Sequence, residues 1–176
     1  GAAADGLRLG TLGLLTSNAS ALESLVINRF SGVGIRIETA SNAVEDCYVG
    51  SDASGAGSVS GNTGGGLLLT GSASNNNSIG GSTTSVRNLI SGNGAAGVSL
   101  IGGAHDNIVR GNRIGTNVDG TSKLTNAGSG VAISDSSPNN IVGGATTTVG
   151  DPPGNVISGN SGRGIDASGA GTTGTL

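Results

Sequence analysis

Short aliphatic stretches punctuate the chain, each opened by a glycine: GIRI at Gly34, GLLL at Gly66, GVSL at Gly97, GVAI at Gly130 and GIDA at Gly164. The anchors are spaced by 32, 31, 33 and 34 residues, and a shorter partial copy opens at Gly6 (GLRL). Apolar and polar positions alternate within each stretch. Ile35, Ile37, Leu67, Leu69, Val98, Leu100, Val131 and Ile133 fall on one side; Arg36, Leu68, Ser99, Ala132 and Asp166 fall on the other. Period two with β-branched enrichment predicts strands, and no stretch carries helical spacing.

A second regularity accompanies the first. Asn62, Asn93, Asn126 and Asn160 each stand four residues before an anchor, and Phe30 takes that place at the first one. NLISGN (88–93) and NVISGN (155–160) are near-copies, with Leu89 and Ile90 expected in the core and Ser91-Gly92 at the bend. The segments 42–62 and 107–126 resemble each other, pairing Val49-Gly50-Ser51 with Ile114-Gly115-Thr116; the segments 77–93 and 140–160 form a second pair. The coils therefore alternate A, B, A, B.

Three short strands per repeat cannot bury an apolar face within one turn, but stacking turns at about 4.8 Å does so. The expected fold is all-β: a single-stranded, right-handed parallel β-helix of about five coils of 31–34 residues. Right-handedness follows from the handedness of parallel crossovers. Asparagines at one corner of successive coils are expected to bond through their amides, with Asn62, Asn93, Asn126 and Asn160 as a structural ladder.

NVISGN, GNRIGT (111–116) and SLVINRF (24–30) are similar to right-handed parallel β-helix repeats of the pectate-lyase-like superfamily. More narrowly, they resemble Asn/Gly-rich segments of large bacterial secreted or surface proteins. The resemblance covers residues 6–167 and implies one β-helix domain over 1–176, cut from a larger protein. It also implies an extracellular or cell-surface location.

Composition narrows the picture. Among 176 residues there are 36 glycines, one Phe, one Tyr, no Trp and no Met, so the core must be thin, regular and aliphatic. A net charge of −3 with scattered Lys and Arg gives no electrostatic footprint for nucleic acid. No apolar run reaches the roughly 18 residues of a membrane span. The single cysteine, Cys47, aligns with Asn112 and is expected in a small buried slot, inert because no His or helix N-terminus is placed to activate it.

Candidate chemistry is sparse. The resemblance leads one to look for an Asn-Thr-Asp strand, an Asp-Asp pair and a Gly-His-Gly loop, and the sequence holds none of them. Glu45 and Asp46 adjoin but, in a strand, would point to opposite faces. His105-Asp106 precedes Arg110 and Arg113 without an identifiable nucleophile. Asp52, and Asn117 with Asp119 and Gly120, sit in loops of calcium-site character, but one carboxylate per loop is thin for an ion that takes six to eight oxygens. Gly80-Gly81 and Gly143-Gly144 lack the Lys and helix of a phosphate loop. The Thr-rich stretches 81–85 and 145–150 fall in alternate coils, against a continuous rank.

No catalytic, cofactor-binding or metal residue is assigned, and calcium is the one ion considered. The expectation is a non-catalytic structural, display or adhesion segment. Its partners would be polysaccharide, neighbouring domains of the same chain, or further copies joined end to end through open sheet edges. The alternative is a carbohydrate-active enzyme or polysaccharide-binding module centred on Glu45, Asp46, Arg110 and Arg113.

Overall fold

The computed structural model describes residues 3–12, 15–16, 18–57 and 60–173, without the side chains of residues 12, 15 and 16. The alternating stretches form three parallel sheets. The first stacks Leu7–Leu9, Val33–Ile37, Gly65–Thr70, Val98–Ile101, Val131–Ile133 and Ile165–Ala167 in chain order. The second stacks Ala21–Glu23, Ala43–Glu45, Ser78–Ile79, Ile108–Val109 and Ile141–Val142. The third stacks Val26–Ile27, Tyr48–Val49, Leu89–Ile90, Arg113–Ile114 and Val156–Ile157. The chain visits first, second and third sheet once per turn, which is a parallel β-helix. The antiparallel pair Thr11–Leu12 with Leu15–Thr16 stands outside this order, in the first coil.

Register makes the core. Ile35 lies against Leu67, Leu67 against Val98 and Val98 against Val131, so like stacks on like along the axis. Val44, Ile79 and Val109 form a second column, and Val49, Ile90 and Ile114 a third. All of these side chains are buried. Each contributes roughly 1.5–3 kcal/mol by leaving water, so a thin core of small aliphatics suffices when every turn repeats it.

The alternating coil types have a simple geometric cause. In A coils the chain leaves the helix after the third-sheet strand, over 50–57 and 115–125; in B coils it leaves after the second-sheet strand, over 80–87 and 143–154. Gly50 and Gly115 mark the A exits, with φ of 102° and 90°. A Cβ on either would sit 2.3 Å from a carbonyl of the next coil, Ser91 O or Ser158 O, so only glycine fits. The A excursions meet across the intervening B coil, where Val118 N–H bonds Gly55 O. The second B excursion reaches the neighbouring A coil, where Gly111 N–H bonds Pro153 O.

One sequence expectation holds by a different route, and one is corrected. Leu89 pairs in register with Tyr48 and Arg113, whose side chains face outward; only its neighbour Ile90 joins the core cluster. Leu89 is nonetheless buried, because the A excursion at Gly55 lies over it. Asp46 does not extend the strand of Glu45. It occupies the left-handed region (φ 51°) at the corner, so the opposite-face rule does not apply, and both carboxylates lie outside the apolar core.

Candidate functional site

Every turn has three corners, and an asparagine ladder runs up each. At the corner leading into the first sheet, Asn93 illustrates the pattern. Its Oδ1 accepts from the backbone N–H of Asn62 (3.3 Å) and from Asn62 Nδ2 (3.1 Å). Its own Nδ2 donates to Asn126 Oδ1 (2.9 Å) and to the carbonyl of Val49 in the preceding coil (3.0 Å). Asn126 Nδ2 donates to Asn160 Oδ1, and Phe30 N–H opens the series by donating to Asn62 Oδ1. One side chain thus serves two coils and closes buried backbone groups that water cannot reach.

Sequence periodicity missed the other two ladders. Asn42, Asn77, Asn107 and Asn140 form one at the entry to the second sheet, each backbone N–H meeting the next Oδ1 at 2.8–3.0 Å. The residue before each, Ser41, Asn76, Asp106 or Asn139, takes a left-handed φ of 53–62°. Asn and Asp enter that region more readily than other side-chain-bearing residues. That pairing of a turn-tolerant residue with Asn was the available signal. Asn88, Asn112 and Asn155 form the third ladder at the entry to the third sheet, linked at 2.9 Å and 3.2 Å through Nδ2 and Oδ1. Their irregular spacing hides it, because the B excursions fall between second-sheet strand and rung.

Cys47 occupies the next rung of that third ladder. Its N–H donates to Asn88 Oδ1 (2.9 Å), and its Sγ lies 3.1 Å from Glu45 O and 3.5 Å from Leu22 O. The thiol is fully buried, and burial pushes its pKa up, with the Asp46 charge adding to the effect. It is a weak rung rather than a nucleophile.

The outer face of the third sheet carries a column of Val26, Tyr48, Leu89, Arg113 and Val156 in register. B excursions wall this sheet where the chain enters it and A excursions where the chain leaves it. A cleft of about 200 Å³ results, floored by Tyr48, Leu89 and Arg113 and walled by Thr84 and Arg87 on one side and Val118 on the other. Asp46 and Tyr48 also line an adjoining hollow of about 230 Å³ that reaches Val26. Arg87 escaped sequence analysis because no repeat partner marks it. It donates from Nε to Gly111 O and from Nη2 to Gly150 O, both at 3.1 Å, tying two B excursions to the A coil between them. Burial holds its pKa below the ordinary guanidinium value, with the nearby charge of Arg113 acting in the same direction and Asp151 opposing.

Of the residues singled out by sequence, Asp46 and Arg113 meet in this cleft; Glu45 and Arg110 do not line it. His105 and Asp106 hold each other, Nδ1 to Oδ2 at 2.6 Å, while His105 Nε2 lies 3.2 Å from Ser72 O. Asp52 Oδ1 accepts from the N–H (3.0 Å) and hydroxyl (2.7 Å) of Ser54; the hydroxyl bond foremost lowers its pKa. Asn117 Oδ1 accepts from the N–H groups of Thr121 and Ser122. Both loops therefore turn their side-chain oxygens onto their own backbone. Among the described residues, no three of His, Cys, Asp and Glu gather into a metal-sized group.

The class that the fold defines is thus a parallel β-helix with three corner ladders. Comparison of the chain with protein families, curated proteins and solved structures finds no match.

Proposed function

We propose that this chain is a rigid rod segment that displays or spaces other elements, or adheres, within a secreted or cell-surface protein. Its repeat phrases resemble those of the pectate-lyase-like superfamily and, more narrowly, the Asn/Gly-rich segments of large bacterial proteins. The observation that carries the reading is where the asparagines go. Nine of them, Asn42, Asn62, Asn77, Asn88, Asn93, Asn107, Asn112, Asn126 and Asn140, are buried at corners, and the amides that bond from coil to coil stiffen the solenoid along its axis. A polar investment of that size serves shape. Stretching the chain between its ends tests it: a rod of this kind holds to high force and then yields coil by coil, whereas smooth extension at low force would refute a spacer role. Antibody labelling of intact cells tests the location.

The alternative, a polysaccharide-binding module or carbohydrate-active enzyme, draws support from the Tyr48–Arg113 cleft. A glycan array combined with a lyase absorbance assay separates the two. Turnover that Asp46→Asn abolishes would replace the rod reading with an enzymatic one.

A further inference from the structure

Two arginines share the cleft on the third sheet, and neither has a carboxylate partner. Arg8, Arg36 and Arg163 all do: Arg8 pairs with Glu38, Arg36 with Asp5 and Glu38, and Arg163 with Asp166. Among the described residues, Arg87 and Arg113 form no ion pair and spend their hydrogen bonds on backbone carbonyls. Arg87 bonds Gly111 O and Gly150 O; Arg113 bonds Val118 O through Nη1. Arg113 Nε is buried without a partner, beneath Gly120. Among the described residues, Nη1 of Arg87 and Nη2 of Arg113 meet no acceptor. Two like charges therefore line one small cleft beside Leu89, Val118 and the Tyr48 ring, apolar neighbours that strengthen their mutual repulsion.

We propose that this cleft is a binding site for one carboxylate group, held between Arg87 and Arg113. Each guanidinium keeps one terminal nitrogen uncommitted, Nη1 of Arg87 and Nη2 of Arg113, and the two oxygens of one carboxylate can accept a charge-assisted bond from each. Charge selects the ligand class. Asp46 lines the same cleft and contributes one negative charge against two positive ones; its Oδ2 is engaged by the Ser24 hydroxyl at 2.7 Å rather than by either arginine. The remaining single positive charge balances a monoanion, and a dianion would face Asp46 unneutralised. Asp151 acts on Arg87 from outside the cleft. The bound group would join a B excursion, through Arg87, to an A coil, through Arg113. The site stands whether or not the rod serves display.

The molecule carries its own reporter, since Tyr48 is the only tyrosine and there is no tryptophan. The experiment titrates the folded chain with sodium acetate, sulfate or phosphate against sodium chloride at constant ionic strength, reading tyrosine emission and melting temperature. Acetate is expected to change Tyr48 emission along a saturable curve and to raise the melting temperature by several degrees at about a hundred times its Kd. Arg113→Gln is expected to weaken the response at least tenfold, Arg113→Lys to weaken it less, and Arg163→Gln to leave it unchanged. An acetate response no different from chloride overturns the site, as does one that Arg113→Gln leaves intact. Preference for sulfate or phosphate overturns the carboxylate assignment. Should Arg113→Gln fail to fold, the wild-type isotherm and Arg113→Lys decide.

Discussion

Asn88 and Cys47 stand at the same corner of neighbouring coils. Asn88 donates to Val44 O at 2.7 Å and to Asn112 Oδ1 at 2.9 Å. Cys47 faces the equivalent carbonyl, Leu22 O, at 3.5 Å through a weak S–H donor. The contrast extends along the rod. From the coil of Asn42 through Asn160 every corner but that of Cys47 is held by an amide, while in the first coil the equivalent positions are Ser20, Leu25 and Phe30. Interior coils are thus fastened by side-chain hydrogen bonds, and the first coil leans on apolar packing, with Leu22, Leu25 and Phe30 against the core. A solenoid of this kind has a strong middle and a softer beginning, because each rung needs a neighbour on both sides to complete its bonds.

Removing an interior rung should have the largest effect. Asn93→Ala strands the N–H of Asn62 in a buried corner, at about 1–3 kcal/mol. It also removes three further bonds at about 1 kcal/mol each: those to Asn62 Nδ2, to Asn126 Oδ1 and to Val49 O, which keeps the Ser91 N–H. We expect about 3–5 kcal/mol lost in urea unfolding, against about 1 kcal/mol for Asn160→Ala at the half-exposed last rung. Equal losses would abolish the distinction between middle and end.

Next comes the exit from the coil. Gly50→Ala forces a Cβ to 2.3 Å from Ser91 O and about as close to the amide of Asn93, so the corner must open. The expected cost is about 2–4 kcal/mol, whereas Gly71→Ala, with nothing within 4 Å of its Cβ, should cost only about 1 kcal/mol for its positive φ. Thermal melts of the pair check this.

Cys47→Asn should move in the opposite direction. It completes the third ladder by one rung, offering Nδ2 to Leu22 O and Oδ1 to the Leu25 N–H that now meets the sulfur. A gain of about 1 kcal/mol is expected. Destabilisation would show that the corner there is too narrow for an amide.

The smallest effect concerns acid. Burial disfavours the Asp5 carboxylate, but the Arg36 hydrogen bond at 2.5 Å, the Val33 N–H and the charges of Arg36 and Arg8 outweigh it, and its pKa is lowered. A depressed carboxylate stabilises the fold above its unfolded pKa, near 3.9, and loses that contribution as pH falls through the folded value. Asp5→Asn should therefore remove about 1 kcal/mol or less near neutrality, flatten the stability profile across that acid window, and change little below it.

How much was legible depended on whether a feature repeats. The first-sheet anchors recur at near-constant spacing because each coil places Ile35, Leu67, Val98 and Val131 at one height of one column. The corner residues Asn62, Asn93, Asn126 and Asn160 keep a fixed distance from those anchors and are visible for the same reason. Asn88 and Asn155 each stand nine residues before an anchor, but an A excursion sets Asn112 eighteen before its own, so the three rungs share no common distance. Arg87 lies at the end of one excursion, with Gly154 as its counterpart beside Asn155, and nothing in the linear pattern distinguishes it.

Sequence by itself therefore determined the period, the strand faces and the all-β parallel stacking. Alternation of apolar side chains is a local property, and local properties survive in a one-dimensional record. Tertiary structure alone decided that Leu89 is roofed by an excursion, that Cys47 completes a ladder, and that Arg87 and Arg113 share a cleft. Those facts arise between coils: residues two dozen positions apart in the chain become neighbours only when turns stack at the spacing of a sheet.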